Sequence, residues 1–394
     1  MAGGIATLAG TGLAVLAFML LRDEGTLTAA ETLPVASIAG LALGLGLPLV
    51  VQGVAAWRQQ PSSRFRPSWA GWLALSWALV LGLGWAVSGL PILGPFLLPL
   101  FHVLAMVLPP LVLLGLVGQI LYRTGVTWRG VIAGLAGGGL GGLGLALVGE
   151  ILALLALVLV GALVTALTPG GVAHLREWSQ RLQELALQAD PTDVLDVVSS
   201  SPLIIAGTLV LVVVVVPVVE ETAKTLVVGV AGRWFRPTQA QALLWGVASG
   251  AGFAAAENLF NGAVGGADAW VFGALARVGA TIMHCFTAAL VAWGWSQLWT
   301  VRRPGRLVAC YLTAITLHGI WNTAAAGSVF AGISVVGQGS SAAVSGLAEA
   351  AVLVLLTLLV LLAVTLLVAL LLAARYLAPR PAAEQGRASP TISA

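Results

Sequence analysis

Apolar residues run through this chain in long blocks that do not alternate. Residues 203 to 219 read LIIAGTLVLVVVVVPVV, where Thr208 is the one polar side chain. Blocks of about 20 apolar residues are long enough for a helix to cross a bilayer core. A closed barrel is the other architecture that satisfies backbone groups in lipid, but it would show strands with a period of two. The pattern therefore predicts an all-α polytopic bundle of ten transmembrane helices, at 3–21, 33–56, 69–90, 92–121, 130–167, 203–231, 240–262, 270–300, 307–330 and 347–375. The fifth is overlong: about 38 residues make ~57 Å of helix against a ~30 Å core. Its first half, GLAGGGLGGLGLALVG, is dense enough in glycine for either a close-packing helix or a broken one.

Between the blocks the polar residues are unevenly distributed. Arg58, Arg64 and Arg66, then Arg123 and Arg129, Arg233 and Arg236, Arg302, Arg303 and Arg306, and finally Arg375, Arg380 and Arg387 occupy every second connection and the tail. The positive-inside rule makes these the cytoplasmic sides, with both termini inside. The segment from His174 to Asp190 repeats Leu175, Trp178, Leu182 and Leu185 at helical spacing, which predicts an amphipathic helix on the outer interface. The Pro/Ala/Ser-rich stretch from 377 onward predicts a disordered tail.

Composition narrows the class further. Of 394 residues only 8% are charged while 59% are hydrophobic, against roughly 25% charged in soluble domains. A soluble enzyme is excluded, and a multi-pass cell-membrane protein is expected. The net charge of +3 resides in the arginine loops, so it points to membrane topology and not to nucleic acid. Cys285 and Cys310 lie in apolar blocks without CxxC spacing and read as packing residues. The N-terminus has no basic segment before its apolar stretch and no small-x-small site, so it reads as a retained helix.

A few polar residues remain inside the apolar blocks. Val219-Glu220-Glu221-Thr222-Ala223-Lys224 lies in the sixth span, Phe253-Ala-Ala-Ala-Glu257-Asn258 in the seventh, His284 in the eighth and His318-Gly-Ile-Trp-Asn322 in the ninth. Lys224 is the sole lysine of the chain and the cation expected at depth. At roughly 2.5 to 3.5 kcal/mol for each charge at mid-bilayer, such groups need partners or a water-filled cavity. Counting ~1.5 Å per residue from the cytoplasmic ends sets Glu220 and His318 at one depth and Glu257 and His284 at another. Glu220 and Lys224, four residues apart, share a helix face, as do His318 and Asn322. By contrast His102 has no evident partner and reads as structural, Glu150 reads as the mark of a break or an interfacial turn in the overlong span, and Gln119 and Glu349 lie near span ends.

Carboxylates, imidazoles and an amide in a semi-dry cavity suit peptide-bond hydrolysis. A desolvated glutamate acts as general base on water, a histidine orients that water, and a His/Asn pair donates to the oxyanion. Two histidines and a glutamate, here Glu257, His284 and His318, also make a zinc set with an open position, although the HExxH pattern is absent. No cofactor is favoured, and zinc is the alternative. Intramembrane Glu, Lys and His side chains equally line proton relays, so a proton-coupled transporter or channel is a further alternative; inverted repeats, which would support it, are not evident.

Taken in order, Glu220-Glu221-x-x-Lys224, Phe253-x-x-x-Glu257-Asn258, His284 and His318-x-x-x-Asn322 resemble the PrsW-type intramembrane proteases, within the wider superfamily of CAAX-prenyl proteases and bacteriocin-processing enzymes. The resemblance covers roughly 200–330 and implies an endopeptidase acting on membrane-anchored protein substrates. It further implies that Glu220 or Glu221 activates water and that His318 with Asn322 steadies the oxyanion. Glu257 stands where the wider superfamily usually has histidine, in agreement with the PrsW branch, and His284 is the expected substitute for orienting the water. The expected organisation is an N-terminal transmembrane module (1–200), a catalytic helix core (201–330), a final transmembrane helix (331–376) and a tail (377–394).

Overall fold

The computed structural model describes residues 29–90, 92–188, 202–262, 270–336 and 342–379, together with Gly4, Thr7 and Gly12. Most of the expected span 3–21, the end of the His174–Asp190 segment and most of the tail lie outside these residues. Among the described residues the chain is predominantly helical, without a strand; one isolated bridge joins Arg64 to Thr127.

Helix α1 (Ala29–Leu41) passes through a π-helical turn, Ala42–Gly46, into α2 (Leu47–Trp57). Helices α3 (Ala70–Ser88) and α4 (Gly94–Ile120) form a hairpin. Next, α5 (Trp128–Ala136) runs through a second π-helical segment, Gly137–Gly142, into α6 (Leu143–Ala166). The overlong span is thus one helical stretch of 39 residues, neither broken nor re-entrant. Then come α7 (Gly171–Gln188), on the expected amphipathic segment, and α8 (Pro202–Val210), joined by a π-helical turn at Leu211–Val215 to α9 (Val216–Phe235). The bundle closes with α10 (Gln239–Asn261), α11 (Trp270–Val301), α12 (Pro304–Val336) and α13 (Ala342–Leu377).

Seven of these stretches are long and apolar enough to cross a membrane, against ten predicted crossings. Helices α10 and α12 occupy predicted spans 240–262 and 307–330, but are less apolar because they carry the Gly/Ala runs and the polar residues of the site. Leu155, Leu159 and Leu163 on α6 and Leu353, Val360 and Leu361 on α13 point outward, exposed. A belt of this kind is stable against acyl chains, and with the backbone of the apolar stretches paired within helices the chain is a multi-pass membrane protein.

The arginine loops gather at one end of the bundle. Phe65 N–H donates to the Val126 carbonyl at 2.8 Å, Trp128 N–H to Ser63 at 3.0 Å, and Arg129 Nη2 to the Gln60 carbonyl at 2.8 Å. The chain then turns into α10 through a capping box, in which the Thr238 hydroxyl accepts from Gln241 N–H and Gln241 Oε1 accepts from Thr238 N–H.

Helix α10 is the axis of the fold, buried along nearly its whole length between α11, α4, α5 and the Gly137–Gly142 segment. Its small residues explain why. A Cβ on Gly250 would stand 2.5 Å from the His284 carbonyl oxygen and 2.8 Å from Cys285 Cα, and one on Gly252 would overlap the Leu135 carbonyl. The backbones of α10, α11 and α5 meet where any side chain would separate them.

Candidate active site

Four helices bring their polar residues to one place inside the bundle. On α9, Glu220, Glu221 and Lys224 are all buried. Sequence spacing paired Lys224 with Glu220; the structure instead turns its ammonium to Glu221, three residues back, with Nζ 2.6 Å from Oε1. The same Nζ lies 3.0 Å from His284 Nδ1 and 5.3 Å from the centre of the Phe253 ring. Beneath it, the Ser249 hydroxyl donates to the Lys224 carbonyl, tying α9 to α10.

These contacts decide the imidazole tautomers. An ammonium only donates, so His284 Nδ1 accepts from Lys224, and its Nε2–H faces Glu257 Oε2 at 2.5 Å. A carboxylate only accepts, so His318 Nδ1–H donates to Glu221 Oε1 at 2.8 Å, leaving Nε2 with a bare lone pair. Glu221 is thereby occupied twice at one oxygen, by Lys224 and His318, and serves to position both.

Glu220 is placed differently. Its Oε2 has no hydrogen-bond partner among the described residues and stands 3.7 Å from His318 Nε2 and 3.9 Å from His284 Nδ1. Those separations exceed a hydrogen bond and are of the kind that one water oxygen bridges. A cavity of about 350 Å³ opens here, lined by Glu150, Glu220, Glu257, Arg277, His284, His318 and Asn322 among others. Glu221 and Lys224 lie behind its wall. Asn322 Nδ2 donates to the Val212 carbonyl at 3.0 Å, a group inside the Leu211–Val215 π-helical turn. Such turns interrupt the regular helical ladder and recur at functional sites. Gly319 packs on the same turn, where a Cβ would stand 2.5 Å from the Val213 carbonyl oxygen.

Arg277 was not anticipated. Assigning arginines to loops passed over one that lies seven residues into α11, so Lys224 is not the only cation at depth. Arg277 Nη2 lies 3.0 Å from Glu257 Oε1, and Nε donates to Asn258 Oδ1 at 2.6 Å. Asn258 Nδ2 in turn lies 3.0 Å from Thr281 Oγ1 and 3.2 Å from the Met106 carbonyl. Asn261 adds a bond to Glu257 at 2.8 Å. Placing every arginine against the predicted spans would have exposed Arg277 from sequence. His102, which read as partnerless, lies between Ser37 Oγ at 3.2 Å, the Leu259 carbonyl at 2.9 Å and Trp270 Nε1 at 3.2 Å, a buried structural knot outside the cavity.

Comparison with known proteins decides the family. The family described as PrsW family intramembrane metalloprotease matches residues 149–364, more than half of the chain. The chain belongs to the PrsW family. No curated protein and no solved structure matches it. The matched residues contain all four polar helices, so this PrsW protein is an intramembrane protease whose polar cavity lies within the family region.

The family description raises the question of a metal. Glu220, His284 and His318 each offer one ligand atom, all within 4.8 Å of one another, so a divalent ion fits this set. Glu257, expected as the carboxylate ligand, instead sits between Arg277 and His284. Within the set, Glu220 Oε2 has no hydrogen-bond partner among the described residues and lies 3.7 Å from His318 Nε2, whereas His284 Nδ1 is shared with an ammonium 3.0 Å away. A neighbouring positive charge opposes a divalent cation at that nitrogen.

Proposed function

We propose that this PrsW protein is an endopeptidase that hydrolyses peptide bonds of membrane-anchored proteins in its polar cavity, with Glu220 as the base that activates water. The observation that carries this reading is the Glu220 carboxylate: nine-tenths buried, unpartnered at Oε2 among the described residues, and 3.7 Å from the lone pair of a histidine locked by a second glutamate.

The chemistry follows from that placement. A water held between Glu220 Oε2 and His318 Nε2 gives its proton to Glu220 as its oxygen bonds to the scissile carbonyl carbon. The carbonyl π pair moves onto oxygen, and Asn322, its amide anchored by the Val212 carbonyl, supplies the donor for that oxyanion. When the C–N bond breaks, Glu220 returns its proton to the departing amine, so no covalent intermediate forms. His318 with its Nδ1–H on Glu221 cannot donate from Nε2 while neutral, so its first role is to accept from the water and orient it. Glu257, held by Arg277, keeps His284 in its tautomer. Donors of the oxyanion kind each contribute about 100- to 1,000-fold in rate.

A second reading is favoured by the Glu220, His284 and His318 group and by the family's description as metalloproteases. An ion such as zinc, held by those three residues, would supply Lewis acidity toward the carbonyl and acidify water. In that reading Glu257 orients His284 and Glu221 orients His318, as outer partners of ligating histidines do, while the Lys224 ammonium competes for the ligating nitrogen of His284.

The wider kinship with CAAX-prenyl proteases, the cytoplasmic placement of both termini and a substrate-recognition role for residues 1–200 belong to the same proposal. Expression of wild type, E220Q, E221Q and H318A beside a membrane-anchored reporter tests it. Cleavage by wild type alone, at equal membrane abundance, is expected; retained cleavage in E220Q overturns it. Metal analysis of the purified protein, with activity measured after chelation, separates the two readings. Activity that survives in metal-free protein supports the glutamate mechanism, and activity restored only by added metal supports the other.

A further inference from the structure

Glu150 is the only ionisable residue of α6, in a stretch whose neighbours Leu147, Val148, Ile151 and Leu152 face outward to lipid. It reads from sequence as the mark of a helix break, yet the helix is unbroken there and Glu150 lines the same cavity as Glu220. A carboxylate at membrane depth persists where a partner or a water-filled cavity offsets its desolvation. The other acids of the site have that offset within the chain: Glu221 has Lys224, Glu257 has Arg277 and Asn261, and Glu220 has two imidazoles. Among the described residues no hydrogen bond or ion pair reaches Glu150. Lys224 and Arg277 are already engaged, so among the described residues no cation of the chain complements Glu150, and its carboxylate faces the cavity.

We propose that Glu150 is a specificity-determining residue that receives a basic side chain, lysine or arginine, of the substrate segment lying in the cavity. Charge complementarity identifies the class of group. The shared cavity sets the range: a basic residue held at Glu150 leaves a peptide bond within a few residues of Glu220. Helix α6 supplies this contact from the lipid-facing side of the bundle, the side from which a membrane-anchored segment arrives. The inference rests on the proposed peptidase reading, because it assigns a subsite of that cavity.

The test uses the full chain in proteoliposomes with a single-span model protein whose ten membrane-flanking residues are a randomised cassette. Cut positions are read by mass spectrometry of the products. Wild type is expected to enrich Lys or Arg at one position near the cut about tenfold over neutral residues, the scale of one well-placed charge contact. In E150Q the ratio of basic to neutral cuts falls to about one, and in E150K the preference at that position turns to Asp or Glu. A ratio unchanged in E150Q, or an equal loss of basic and neutral cuts, overturns the proposal while leaving the peptidase reading intact. Absence of any cut by wild type would instead overturn the peptidase reading itself.

Discussion

Removing the Lys224 ammonium is the perturbation that reaches furthest into the site. Both members of the Lys224–Glu221 pair are fully buried, with Nζ and Oε1 2.6 Å apart, so solvent screening does not discount the contact. K224M leaves Glu221 as a buried carboxylate with His318 as its remaining donor, and removes the group that decides the His284 tautomer. Breaking a buried pair by deleting one partner costs about 3–5 kcal/mol, so K224M shifts the unfolding equilibrium by at least ~100-fold at about 1.4 kcal/mol per decade. E221Q alone strands the ammonium with an imidazole and the Phe253 ring, and costs a similar amount. The double variant E221Q/K224M buries no net charge, so it is expected to be more stable than the sum of the single losses by about 3 kcal/mol, a coupling that a double-mutant cycle isolates. Unfolding in mixed micelles, followed by loss of helical circular dichroism over a denaturing-detergent titration, measures all four proteins. The double variant remains inactive, because His318 has lost its anchoring carboxylate. A K224M protein within about 1 kcal/mol of wild type, or an additive cycle, would refute the reasoning that this pair is a stabilising anchor and not a passive burial.

Three further outcomes follow from the same geometry. G250V forces a side chain against the His284 carbonyl and Cys285 Cα, so it should lower stability by about 1–3 kcal/mol, the usual cost of overpacking, and abolish cleavage; thermal unfolding and the reporter assay read the two effects. N322A leaves the Val212 carbonyl without its donor and should cost about 1 kcal/mol, while N322D, which faces an acceptor with another acceptor, should be worse than N322A in the same unfolding titration. R277M frees Glu257 and Asn258 together and should reduce cleavage about 100-fold through misplacement, with R277K recovering part of it, because lysine restores the charge on Glu257 but not the second bond to Asn258; reporter kinetics at matched abundance measure the order of the three.

Most of the architecture was legible in the hydropathy pattern, because a helix in lipid must be apolar along its length and the loops must carry the arginines. Nine of the ten expected spans coincide with described helices, the first lying almost wholly outside the described residues. Depth counting also paired Glu220 with His318 and Glu257 with His284, and both contacts occur, but it separated His284 from Glu220 and Lys224, which His284 meets as well. What sequence spacing could not convey was rotation. Lys224 is compatible with Glu220 and with Glu221 on an ideal helix, and its ammonium lies with Glu221, His284 and the Phe253 ring, partners on three different helices that spacing along one helix does not reveal. The π-helical turns at Gly137–Gly142 and Leu211–Val215 have no periodic signature, yet one of them presents the carbonyl that holds Asn322. Arg277 was hidden by a sound rule applied to loops alone, and Glu150 by the assumption that a lone acid in an overlong span marks a break. Both were visible as letters, and neither gained meaning before the cavity showed what they face.

The central claim is that Glu220 serves peptide hydrolysis in a membrane cavity. Purified wild type and E220Q, reconstituted at equal amounts with a cleavable single-span protein in ¹⁸O-labelled water, put it to the most direct test. The account predicts two fragments from wild type whose masses sum to the substrate plus one labelled water, with the label in the new carboxylate, and none from E220Q. The same fragments at a comparable rate from E220Q would contradict it.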